Sequence, residues 1–158
     1  MIKRTKSKMA FCITLVVLNV AFIWGNSLMS QKMSSAFSQL IGRIISLFLP
    51  GEGAAASGTG HGILRKVAHV LEFTSLAFFL SWLFRMLYEE KWKYFVLPIS
   101  IGVVIASIDE LLQRLIPGRG PRLRDVGIDT IGLILGVCAM WGLAALVRRR
   151  KEKKNEQH

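Results

Sequence analysis

Four apolar runs, at about residues 9–25, 67–84, 94–112 and 126–147, restrict this chain more than any other feature. A helix needs roughly 20 apolar residues to cross a hydrocarbon core, with about 17 as the lower limit. Hydrocarbon offers the backbone no water, so such runs form helices that satisfy their own hydrogen bonds. The expected fold is therefore all-α, an integral membrane four-helix bundle forming one domain over residues 1–158. The first run follows Lys3, Arg4, Lys6 and Lys8, the layout of a secretory signal, but Phe22-Ile23-Trp24-Gly25-Asn26 is bulky where a signal peptidase needs small residues. An uncleaved first span is expected, with Asn19 facing protein rather than lipid.

Between the first two spans, Asn26–Ser35 is mostly polar, and Phe37, Leu40, Ile41, Ile44, Ile45 and Phe48 then recur at helical spacing. That stripe predicts an amphipathic surface helix over about residues 36–49, too short and one-sided to span. The small-residue stretch 51–62 reads as a loop, with His61 a solvated loop histidine. Within the third span, Pro98 is placed to kink the helix. Cys12 and Cys138 both lie in apolar runs and read as small packing residues rather than a disulfide framework.

Charge fixes the orientation expected of the bundle. The chain carries 21 Lys and Arg against 10 Asp and Glu, a formal net charge of +11, alongside 52% hydrophobic residues. Its basic residues crowd the two ends beside apolar runs, with neither aromatic-interleaved basic patches nor zinc spacing, so nucleic acid is not an expected partner. Four spans bring both termini to one side, and the positive-inside rule puts that side in the cytoplasm. Residues 85–93, flanked by Trp82, Trp92 and Tyr94, then form a cytoplasmic connection, and the unusual polar residues fall on the outer face.

Those residues come from three helix ends. In the second span Arg65, His69 and Glu72 stand at i, i+4 and i+7 on one stripe. The third span ends in Asp109, Glu110 and Gln113; Asp109 and Gln113 can face the bundle while Glu110 and Arg114 face water or headgroups. The fourth presents Asp125, Asp129, Gly132 and Gly136 on one face, the glycines allowing a neighbouring helix to come close and directing Asp129 into the seam.

Arg114, Arg119, Arg122 and Arg124 lie where the topology makes arginine scarce. Arginine grips phosphate and carboxylate in a bidentate manner, so these residues either neutralise nearby carboxylates as a salt-bridged cap or hold an anionic, lipid-linked phosphate or pyrophosphate, an isoprenoid phosphate included. On the second reading His69, Glu72, Asp109 and Asp125 are the candidate acid–base groups, while Arg65, Gln113, Arg119, Arg122, Arg124 and Asp129 are the candidate binding residues. Carboxylates so grouped can also hold a divalent ion such as Mg²⁺, although no metal-ligand spacing identifies one. A non-catalytic accessory protein is the rival reading, and a transporter is less favoured because Asn19, Ser75 and Ser81 are the few polar residues of the apolar interior.

Three blocks resemble the VanZ-like family of bacterial membrane proteins: Arg65-Lys66-x-x-His69-x-x-Glu72-Phe73; Asp109-Glu110-x-x-Gln113 followed by Pro117-Gly118-Arg119; and Asp125-x-x-x-Asp129-x-x-Gly132-x-x-x-Gly136. The polar stretch Asn26–Ser35 fits the same pattern, and the resemblance covers about residues 20–147. Many members have Asn where this chain has Asp129, and an aromatic residue is common at the place of Val70. The resemblance implies an envelope protein in a bacterial cell membrane, acting near the outer leaflet. The family takes its name from a protein associated with low-level resistance to the glycopeptide teicoplanin, and no biochemical activity follows from it.

Overall fold

The structure is a computed structural model that describes residues 2–28, 58–116 and 123–155, with side chains from 6–28, 66–116 and 123–155. It contains α1 (Ile2–Ser27), α2 (Gly58–Leu87), α3 (Lys93–Gln113) and α4 (Leu123–Asn155). Each includes a stretch long and apolar enough to cross a membrane, and no strand occurs among the described residues. The surface helix expected at 36–49 lies outside the described residues. The loop expected over 51–62 is corrected at its end: α2 begins at Gly58, before the apolar stretch that starts at Lys66. A helix anchored in the membrane extends readily, because adding a turn to an existing helix avoids the cost of a nucleus.

The hub is α2, which packs against all three other helices and most extensively against α4. Its Phe73, Leu76, Ala77 and Leu80 meet Ile23 of α1, Ala106 of α3, and Leu133 and Val137 of α4 in a buried core. Phe11, Leu18 and Phe22 on α1 and Ile131 on α4 face outward, as lipid contact requires. Lipid tails are as apolar as leucine, so the bundle gains little from apolar burial alone; close packing and interhelical hydrogen bonds must hold it together.

Both devices are visible. A Cβ placed on Gly132 would lie 2.5 Å from the Val70 carbonyl oxygen, and one on Gly136 would collide with the Thr74 carbonyl and come within 2.9 Å of the Ala77 Cβ. The expected glycine seam is therefore the contact between α4 and α2. Along α1, Cys12, Asn19 and Asn26 recur every seventh residue and reach successive positions of α2 running the other way. The Cys12 thiol donates to the Phe79 carbonyl at 3.3 Å, Asn19 Nδ2 to Ser75 Oγ at 2.6 Å, and Asn26 Nδ2 to Glu72 Oε1 at 2.7 Å. Asn19 faces protein, as expected. Cys138 is corrected: it is exposed, one position beyond the buried stripe of Gly136 and Val137, so only Cys12 packs.

Pro98 sits buried inside α3 without ending it. Proline has no N–H, so the carbonyl four residues earlier, that of Tyr94, loses its helical donor. Ser81 Oγ of α2 donates to that carbonyl at 2.8 Å, supplying what the hydrocarbon cannot. Tyr94 and Phe95 also pack on Trp141, with Arg85 over the Tyr94 ring at 5.6 Å. In the short connection before α3, Lys93 Nζ donates to Glu90 Oε1 at 2.8 Å and holds the Glu90 carboxyl below its ordinary range.

Gly136→Ala is expected to destabilise the bundle by about 1–3 kcal/mol, because the added methyl meets helix backbone that cannot turn aside. Gly142→Ala, where a Cβ meets nothing within 4 Å, is expected to change stability by no more than about 0.5 kcal/mol. Thermal unfolding of the two variants in the same detergent measures the difference.

Candidate functional site

The C-terminal ends of α1 and α3 meet the N-terminal parts of α2 and α4, and every element contributes polar groups there. From α1 come Asn26 and Ser27; from α2, Lys66, His69 and Glu72; from α3, Asp109, Glu110 and Gln113; from α4, Asp125 and Asp129. His69 Nδ1 lies 3.9 Å from Glu72 Oε2 and 3.9 Å from Asp129 Oδ1, so one imidazole stands between a carboxylate of its own helix and one of α4. The glycine seam makes this possible: Gly132 is one turn beyond Asp129, and its contact with Val70 brings Asp129 alongside His69.

A second network lies beside this group. Ser27 Oγ donates to Asp109 Oδ2 at 2.6 Å. Gln113 Nε2 donates to the same oxygen at 3.2 Å and to Glu110 Oε1 at 3.1 Å. Asp109 is 0% exposed, Glu110 5% and Gln113 9%, so the end of α3 turns three polar side chains inward. The expectation that Glu110 faces water with Arg114 is corrected. The Gln113 amide reaches Glu110 as well as Asp109, and α4 covers it. Arg114 alone is exposed. Beyond Gln113 the backbone tightens into three successive bonds to the residue three back, from the amides of Arg114, Leu115 and Ile116.

A small cavity opens between α2, α3 and α4, lined by Lys66, His69, Glu110, Gln113, Asp125 and Asp129. Its volume is about 20 Å³, enough for one compact group of the size of a water molecule. Among the expected residues, His69, Gln113, Asp125 and Asp129 line this cavity, while Glu72 and Asp109 stand behind it in the hydrogen-bonded wall. Arg124 is exposed in the first turn of α4, next to Asp125. The Arg65 side chain, Arg119 and Arg122 lie outside the described residues. Among the described residues no group of three His, Cys, Asp or Glu side chains is arranged to hold a metal ion, so the divalent-ion reading finds no ligand set there.

Asn26 and Ser27 were not among the expected site residues. The signal for Asn26 was the seven-residue spacing from Cys12 through Asn19, which marks one stripe of α1 as facing the bundle.

Fold and site define a multi-pass helical membrane protein whose four spans converge on a histidine–carboxylate cluster at one end. The VanZ/LLP1 family model matches residues 8–147, and the chain belongs to that family. No curated protein and no solved structure matches it.

The hydrogen bond from Ser27 to Asp109 is expected to couple α1 to α3. In a double-mutant cycle of Ser27→Ala and Asp109→Ala, read by thermal unfolding, the coupling is expected at about 0.6–1.7 kcal/mol, the range for hydrogen bonds between membrane helices. Effects that simply add would mean that the bond holds nothing.

Proposed function

We propose that this VanZ/LLP1 protein serves the bacterial cell envelope by binding a phosphate-bearing, lipid-linked headgroup at the membrane interface, where His69 with Glu72, Asp109 and Asp125 supplies acid–base chemistry. The observation that carries this reading is His69 held between Glu72 and Asp129 at the wall of a cavity between the ends of α2, α3 and α4. Ionisable groups within spans are costly, and a lipid-facing helix end does not require them.

The division of labour follows from position. Lys66 at the cavity and the exposed Arg124 beside it take phosphate oxygens, with the arginines of the connection before α4 adding to them. Histidine exchanges protons near neutral pH, and two flanking carboxylates give the imidazole alternative partners as a proton comes and goes. The enclosed part of the cavity takes one water-sized group, so the headgroup rests across the mouth and sends only a small group inward. By the positive-inside rule this end of the bundle faces outward and both termini are cytoplasmic. Susceptibility to teicoplanin-type glycopeptides is accordingly the biological readout of interest.

A structural cap is the second reading, and one observation favours it: the chain of bonds from Ser27 through Asp109 and Gln113 to Glu110 ties α1 to α3. The two readings divide the cluster, with Asp109 assigned to the lock as well as to the site and His69 to the site.

Native mass spectrometry of the detergent-purified protein tests the reading. Wild type is expected to retain phosphate-bearing lipid, phosphatidylglycerol or undecaprenyl phosphate among those supplied, and a Lys66→Ala, Arg124→Ala variant to retain about tenfold less, two lost charge-assisted contacts being ample for that factor. A wild type that retains none of these lipids would leave only the cap.

A further inference from the structure

We propose that the headgroup taken by this site carries a protonated primary amine beside its phosphate, and that the ammonium enters the cavity and is held by Asp129. The inference rests on the reading of the cluster as a phosphate-lipid site and names which class of headgroup that site selects.

Donor accounting leads to it. Asp129 is 2% exposed and lines the cavity, yet receives no hydrogen bond from any described residue. His69 Nδ1 is 3.9 Å away, beyond hydrogen-bond range. Lys66 shares the cavity lining without a hydrogen bond to Asp129, and several other side-chain donors are committed elsewhere. The two N–H groups of Gln113 Nε2 go to Asp109 and Glu110, Asn26 Nδ2 goes to Glu72, and the Thr130 hydroxyl goes to the Val126 carbonyl. A carboxylate left in this state within a membrane protein costs free energy until a donor reaches it.

The lining specifies that donor. Glu110 and Asp125 join Asp129 around the cavity, so a phosphate oxygen would meet acceptors and negative charge, whereas an ammonium brings three donors and a positive charge. The volume of about 20 Å³ admits a single compact group of that size. Lys66 lines the cavity as well, and with the exposed Arg124 next to Asp125 it offers positive charge to a phosphate. Three carboxyl groups with one lysine among them, and an arginine nearby, are complementary to an aminoalkyl phosphate. The opening lies where the spans reach the interface, which makes the lipid-linked form, with its phosphate at headgroup level, the ligand rather than a free metabolite.

The test uses the full-length protein in detergent micelles with phosphatidylethanolamine, its N-acetyl derivative, phosphatidylglycerol and soluble phosphoethanolamine as probes, with binding followed by native mass spectrometry and titration. Wild type is expected to hold phosphatidylethanolamine about tenfold more tightly than the N-acetyl derivative or phosphatidylglycerol, and phosphoethanolamine more weakly than the lipid. Asp129→Asn, which keeps size and shape, is expected to reduce that preference to about threefold or less. Lys66→Ala is expected to weaken the amine lipid and phosphatidylglycerol alike. Equal or tighter binding of phosphatidylglycerol by wild type overturns the amine while leaving the phosphate site standing, and this ranking needs no variant to fold. Retention of none of the lipids overturns both, and tighter binding of phosphoethanolamine than of the lipid overturns the lipid-linked source.

Discussion

Backbone contact between α4 and α2 at Gly132 and Gly136 is the constraint on which the remaining architecture depends. Two membrane helices gain little by burying apolar surface, so they must come close enough for dispersion and direct hydrogen bonding to act. Thr74 shows how close they come: its hydroxyl donates to Val70 O at 2.6 Å within its own helix, and Gly132 O of α4 lies 3.1 Å away as a second acceptor. With α2 and α4 fixed in register, Asp129 stands beside His69, and α3 closes over both with Glu110 and Gln113. A larger residue at either glycine would separate the two helices that build the cavity.

Hydrogen bonding completes what close packing begins. On α1, polar residues every seventh position reach α2 at Phe79, Ser75 and Glu72, and Ser27 reaches α3 at Asp109. Ser81 meets the Tyr94 carbonyl that Pro98 deprives of a donor. The polar groups within the spans thus do two kinds of work. Those of α1 and the proline turn hold helices together, whereas His69 and Asp129 face a cavity.

Much of this was legible in the residues. Apolar runs of spanning length gave four helices, because the bilayer admits no alternative backbone solution for them. The glycine pair and Asp129 shared a face by simple helical geometry, and the structure keeps them on it. What escaped had physical reasons. Glu110 was assigned outward because adjacent helical residues point about 100° apart, but the Gln113 amide bridges both carboxylates and α4 covers them. Cys138 was assigned inward because its run is apolar, yet in a membrane an apolar run has a lipid face as well as a buried one. The arginines proposed to grip phosphate are divided: Arg114 and Arg124 are exposed, while Arg119 and Arg122 lie outside the described residues.

The central claim is that the α2–α4 seam forms a working site rather than a second lock, and His69→Ala separates the two most directly. The measurement compares its thermal stability and membrane level with the proposed cellular readout, teicoplanin susceptibility, in cells lacking the native copy. A working site predicts wild-type level in the membrane, a stability change within about 1 kcal/mol, and loss of the cellular effect. A variant that inserts normally and keeps full activity would contradict the claim, as would activity that falls only in proportion to lost stability.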